Sequence, residues 1–337
     1  MNIDQLFQQA VALIGAGDVP ALDRLLTDHP ELARERLTVP GPWLRDKVGS
    51  ALDGFFKAPY LLWFVSEDAP VHGRLPKNIA DVTRAILRAA HGAPSLQEQL
   101  DYALSLVSWS GVAQRCGVQI ELIDTLIDAG ASLDGNPDNA LVNGHVAAAE
   151  HLVARGAKLT LASAVCLGRW HDARRLAASA TDAQKQFALV LAALNGKAEA
   201  VKSMVEAGAD VNRPSTDLYS HGTPLHHAVC SGSLATVQAL VEAGADSGKR
   251  DTVWNGTPLG WAEHYLAERK DDDSQKRYGA IADYLRARPP HSATAGQVHA
   301  YPAANHNRLE LKIHFAFGRN LAHAFVRLML HMCLEKT

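Results

Sequence analysis

Along most of this chain, apolar residues recur at three- and four-residue intervals, in short runs broken by glycine. Leu234, Val237, Leu240 and Val241 are one such run, and they fall on a single face at 3.6 residues per turn. The spacing predicts helices in consecutive pairs. The pairs are 3–15 with 19–28, 55–66 with 78–91, 98–110 with 118–129, and 137–143 with 145–155. They continue as 161–167 with 170–179, 184–195 with 198–207, 223–231 with 233–243, and 257–269 with 274–287. An irregular insertion is expected at about 33–54.

The breaks between helices repeat as well. Gly222-Thr223-Pro224-Leu225-His226-His227-Ala228 returns as Gly256-Thr257-Pro258-Leu259-Gly260-Trp261-Ala262, 34 residues later. A Gly-Ala dipeptide closes an apolar helix at Gly92, Gly130, Gly156, Gly208 and Gly244. A single turn glycine separates the two helices of a pair at Gly17, Gly117, Gly144, Gly168, Gly196 and Gly232. Each signal has a mechanical meaning. Thr223 can cap a helix through its hydroxyl, and Pro224 then sits where a missing N–H costs nothing. Gly232 can adopt the left-handed conformation that ends a helix, and Ser233 can cap the next one.

Residues 222–246 resemble a full ankyrin repeat, and 195–212 resemble the second half of another. The likeness is specific over 183–268, degenerate over 98–182 and weak over 1–97; residues 289–337 do not match. The resemblance is to an ankyrin-repeat domain-containing protein of bacterial type. It implies an all-α fold, an α-solenoid of stacked antiparallel helix pairs with short finger loops and a concave surface that binds proteins. The expected organisation is degenerate repeats and a cap over 1–97, ankyrin repeats over 98–288, and a non-repeat linker and tail over 289–337. No repeat can bury its apolar face alone, so neighbours must stack. Ala192, Ala193, Ala228 and Ala262 suit close contact between adjacent first helices, and Leu225, Ala228, Val237 and Leu240 should be core. The segments 210–222 and 246–256 are long enough to be fingers, whereas 130–137 and 156–161 should be bare turns.

Composition narrows the functional classes. Of 337 residues, 47% are hydrophobic and 20% charged, as in ordinary folded proteins, and the net charge of −3 calls for neither nucleic acid nor an anionic membrane. The four cysteines are widely separated and form no C-x-x-C pair, so neither a zinc site nor a disulfide framework is indicated and a cytoplasmic setting fits. The N-terminus lacks signal-peptide character, and no apolar run reaches the roughly 18 residues of a membrane span.

Candidate chemistry is sparse. Gly15-Ala16-Gly17 follows a helix and reads as a turn rather than a dinucleotide fingerprint. His226 occupies the last position of Thr-Pro-Leu-His, where the resemblance implies hydrogen bonds between repeats; His227 is expected to be its exposed neighbour. Asp271-Asp272-Asp273 lies among Arg269, Lys270, Lys276 and Arg277 and reads as a solvated mixed-charge loop. Trp43, Phe55, Phe56, Tyr60, Trp63 and Phe64 form either the core of an N-terminal cap or a ligand groove. Residues 116–154 carry six carboxylates and no Lys or Arg, a local charge of about −6 that is either a solvated face or a lure for a basic partner.

Apolar and aromatic residues in polar loops pack or bind. On that ground Asp217, Leu218 and Tyr219 of one finger and Arg250, Val253, Trp254 and Asn255 of the other are the candidate partner-binding residues. In the tail, 309–317 alternates like a strand and 320–333 reads as a helix, serving as a cap or a docking segment. The expected function is a non-enzymatic, monomeric scaffold or adaptor that binds another protein and uses no cofactor or metal. The alternatives are a ligand-binding or enzymatic protein using the N-terminal aromatics, and a membrane-associated adaptor using the tail.

Overall fold

The computed structural model describes residues 2–66 and 73–288. The tail expectations for 289–337 lie outside these residues. Among the described residues every regular element is helical. The described residues divide into two compact units, one ending at Lys158 and one beginning at Leu159.

In the first unit, α1 (Ile3–Ala16) pairs with α2 (Val19–Asp28), and a short α3 (Glu31–Arg34) follows. The expected irregular insertion contains α4 (Pro42–Val48) and a 3-10 turn, Gly49–Asp53. The expected helix 55–66 is only a 3-10 segment, Leu61–Ser66. Pro59 disfavours helical backbone at Ala58, which takes φ +45°, so no α-helix can run through 55–60. All six residues of the 3-10 segment are buried against α1, α5 (Ile79–Ala90) and α6 (Leu96–Ser108). Next come α7 (Gly111–Cys116), a short helix absent from the periodicity reading, α8 (Gln119–Asp128), α9 (Asn136–Val142) and α10 (Val146–Ala154). Second helices stack side by side, α2 on α5, α5 on α8, and α8 on α10.

The second unit is more regular. Its pairs are α11 (Leu161–Cys166) with α12 (Trp170–Ala177), α13 (Asp182–Leu194) with α14 (Ala198–Glu206), α15 (Pro224–Ser231) with α16 (Leu234–Glu242), and α17 (Pro258–Glu268) with α18 (Asp272–Arg286). First helices stack α11 on α13 on α15 on α17; second helices stack α14 on α16 on α18. The alanines predicted for the first-helix contact, Ala192, Ala193, Ala228 and Ala262, are all fully buried, as are Leu225, Val237 and Leu240. The Gly-Ala stop works as a two-bond lock. Gly208 takes φ +91°, which lets the Ala209 N–H reach back to the Met204 carbonyl at 2.9 Å. Gly244 does the same, with Ala245 bonded to Leu240 at 2.9 Å. No atom lies within 4 Å of a Cβ built at either glycine, so backbone conformation, not space, demands glycine there.

Polar ties link the repeats along the loop edge. The Gln186 amide donates to the Asp210 carbonyl at 2.9 Å and accepts from the Asp210 N–H at 3.0 Å. Asn212 donates to the Gly244 carbonyl at 3.0 Å and accepts from the Asp246 N–H at 2.8 Å.

Candidate functional site

The two long loops of the second unit, 210–222 and 246–256, form one framed surface. Its frame is built around a residue the sequence reading passed over, Asp251, which is 3% exposed. The Asp251 carboxylate accepts from the backbone N–H groups of Val253 at 2.9 Å, Trp254 at 2.6 Å and Gly256 at 2.8 Å. It also accepts from the Trp261 indole N–H at 2.9 Å, which ties the loop to the helix that follows. A loop whose own N–H groups converge on one carboxylate cannot fray without stranding those donors. Asn255 closes the turn at φ +58°, a conformation asparagine tolerates well.

Histidines and aromatics join the two loops. His221 lies against Trp254 at 5.4 Å and stacks on Trp261 at 5.9 Å, while Tyr219 meets His227 at 5.9 Å. The Thr252 N–H donates to the His221 carbonyl at 2.9 Å. His226 accepts the Thr223 N–H at Nδ1, 3.1 Å, leaving Nε2–H to donate to the Gly256 carbonyl at 3.1 Å. That bond runs from one repeat to the next, the role expected for His226. His227 departs from expectation. It is 2% exposed, not an outward neighbour, because its ring sits under Tyr219 and pairs with the Tyr219 carbonyl at 3.3 Å. Burial pushes His227 down to about 3 and His221 down to about 4, and it lowers His226 as well. All three are neutral imidazoles at pH 7. Among the described residues no group of three or more His, Cys, Asp or Glu is placed to hold a metal.

The candidate binding residues separate into two sets. Leu218 and Tyr219 are 5% and 4% exposed, so they pack inside the loop and offer a partner almost no area in this conformation. That corrects their assignment as contact residues. Asp217, Arg250 and Asn255 are exposed, and Val253 and Trp254 are half-buried. Arg250 is steadied by donating to the Asn255 carbonyl at 2.7 Å. The outward row is therefore Asp217, Arg250, Val253, Trp254 and Asn255. A signal for Asp251 was present in the sequence: an aspartate opening a short loop before glycine commonly collects the following N–H groups.

In the first unit the aromatic group packs on itself. Phe56 meets Phe64 at 4.9 Å, Phe64 meets Phe7 at 5.6 Å, and Trp63 meets Tyr102 at 4.5 Å. Arg36 caps the group, 4.4 Å over the Tyr60 ring and ion-paired to Glu98. Tyr60, Phe56, Trp63 and Phe64 are buried, and Trp43 and Phe55 are half-buried. Trp43 donates its indole N–H to Asp4 at 2.8 Å. These rings are core. An open groove of about 580 Å³ lies elsewhere, between α5, α6 and α8, and none of the six aromatics lines it. The acidic stretch is partly neutralised from outside itself. Arg155 pairs with Asp124 and with Asp128, the latter at 2.6 Å, while within the stretch His151 hydrogen-bonds Asp124 at 2.7 Å. Burial raises the Asp124 pKa, but the His151 and Arg155 bonds outweigh it and hold it below the usual range. Asp271 caps α18 through the Ser274 N–H at 2.8 Å, and Asp273 pairs with Arg277 at 3.1 Å.

Helix pairs that repeat with a fixed break, stack through small residues and project hydrogen-bonded loops define a helical repeat protein. A family model for ankyrin repeats, in three copies, matches residues 140–251. Over that stretch the chain carries ankyrin repeats. Ankyrin repeats are in general protein–protein interaction modules. Among solved structures it is similar to the human ASB11 ankyrin repeat domain, at 18% identity and a TM-score of 0.32, over 69% of this chain and 99% of that one. No curated protein matches the chain. Among the described residues no helix is long and apolar enough to cross a membrane.

Proposed function

We propose that this chain is a non-enzymatic adaptor that binds a partner protein through the outward row on its two long loops. The supporting observation is the division of labour within the loops. Asp251, His226, His227 and Tyr219 point inward and fix the backbone. Asp217, Arg250 and Asn255 point to solvent, with Val253 and Trp254 half-covered between them. Charged groups around a partly exposed indole on a pre-set backbone match the composition of binding hot spots, and pre-organisation lowers the entropic cost of binding. The proposal places the protein in the cytoplasm as a monomer, in keeping with its cysteine usage.

The test is affinity purification of the intact chain beside an Asp217→Lys/Arg250→Glu variant, followed by calorimetry with the recovered protein. The expected result is one stoichiometric partner, bound at least roughly tenfold more weakly by the variant at an unchanged melting midpoint. A partner held equally by both proteins would move the binding surface away from these loops.

A further inference from the structure

The helix α12 differs from the second helices α10, α14 and α16. Aligned on the turn glycines Gly144, Gly168, Gly196 and Gly232, the first helical position holds Val146, Trp170, Ala198 and Leu234. Three repeats fold with a small or medium aliphatic residue there, so the fold itself does not call for an indole. Trp170 is nonetheless 39% exposed. The position six residues further on holds a fully buried side chain in the other three helices, Leu152, Met204 and Leu240; its counterpart Leu176 is half-exposed. Ala173 is the single buried residue of α12. The helix packs chiefly on α11.

The charges around Trp170 are also unusual. Asp172 is held by Arg175 at 3.0 Å. Arg169 and Arg174 are exposed and make no ion pair among the described residues. Arg174 follows Trp170 by four residues, so the guanidinium and the indole are neighbours on one helix face. Arg169 precedes Trp170 directly. The surface thus combines a partly exposed indole, a half-exposed leucine and two uncompensated cations.

We propose that the α12 face is a second docking surface, separate from the loops, for an acidic segment of a partner protein in which an apolar side chain is flanked by carboxylates. Charge complementarity selects the occupant. Arg169 and Arg174 can each take a carboxylate in a forked pair, and the apolar side chain covers Trp170 and Leu176. Nucleic acid fits less well, because tight phosphate binding draws on about 6–10 contacts and this face supplies two free cations on a chain of net charge −3. A membrane fits less well because an eight-residue helix offers too little apolar face to insert.

The experiment uses the full chain and fluorescence anisotropy. The probes are short fluorescein-labelled peptides in which Phe or Leu is flanked by Glu, the same peptides with Lys for Glu, and a labelled single-stranded oligonucleotide. The acidic peptides are expected to bind more tightly than the basic ones and to weaken as salt rises. Trp170→Ala and Arg169→Glu/Arg174→Glu should each weaken them roughly tenfold or more, with unchanged melting midpoints. The Asp217→Lys/Arg250→Glu variant should bind them as the wild type does, so failure here and failure of the loop surface read out separately. Equal binding of the basic peptides, or affinity indifferent to both α12 variants, would overturn the proposal. Oligonucleotide binding abolished by the α12 variants would replace it with a nucleic-acid surface, and loss in the loop variant would reassign the site to the loops.

Discussion

Asp251 shows how one buried side chain can set a surface it does not belong to. Four donors, three backbone and one indole, end on its carboxylate. Replacing it by alanine leaves those donors to find water or stay unpaired, and Asp251→Ala is expected to cost about 2–4 kcal/mol. Urea denaturation checks this, and a midpoint equal to the wild type would mean the loop is held by other contacts. The histidines make a second, pH-dependent prediction. In the folded chain His227 titrates at about 3 and His221 at about 4, against the ordinary value of 6.5. Their folded pKa is depressed, so above pH 6.5 both states hold the neutral ring and the stability is fully present. Below 6.5 the unfolded chain takes up protons first, and stability falls until the pH passes the folded values near 4 and 3. Each ring adds a slope of up to about 1.4 kcal/mol per pH unit inside that window. His227→Leu should flatten the dependence of the urea midpoint on pH between 7 and 5; a slope as steep as the wild type's would show that His227 is not buried as described. Little of this was legible beforehand. Burial of His227 depends on how the 210–222 loop folds over it, and no periodicity along the helix reports what a distant loop covers.

At the scale of the element, the legible features were those enforced locally. Helix ends in the second unit follow from Thr223, Pro224, Gly232 and the Gly-Ala stops, each acting within about one turn of itself. The stops carry a prediction of their own. Gly208→Ala forces a Cβ into a φ of +91° with no steric neighbour, so its cost is backbone strain alone, about 1–2 kcal/mol. A melting midpoint raised by this change would contradict the left-handed geometry. Leu240, fully buried where α16 meets α15 and α14, gives the packing counterpart: Leu240→Ala should cost about 2–5 kcal/mol in urea. The elements misread in the first unit have other causes. The 3-10 segment Leu61–Ser66 is apolar over its first five residues and is enclosed by α1, α5 and α6. An all-round apolar run carries no face from which a helical period can be read. The short α4 and α7 were hidden for a different reason, being too brief to complete a repeating pattern. The outward row of the loops was half legible: the loops were found from their length and aromatics, but which side chains turn inward was decided by Asp251 and His227.

At the scale of the molecule, stability in a repeat fold is a sum of what each helix pair holds and what each interface adds. In the second unit those interfaces are explicit: α14 on α16, α16 on α18, and the first helices α13, α15 and α17 in series. Polar ties such as His226 to Gly256 and Asn212 to Gly244 run only between adjacent repeats. A loss at one repeat should therefore be felt by its neighbours and fade with distance. Native-state hydrogen exchange on Leu240→Ala tests this directly, since it reads the free energy of opening at each amide. Protection is expected to fall most in α15 and α16, less in α14, α17 and α18, and not measurably in α1 and α2. The same substitution should leave acidic-peptide binding at α12 intact, because Trp170, Arg169 and Arg174 draw their position from α11, not from α16. A uniform loss of protection from α1 through α18 would instead show a chain that opens only as a whole. The loops and the α12 face would then be energetically joined, and neighbour-by-neighbour coupling would be the wrong description of how this protein holds its surfaces.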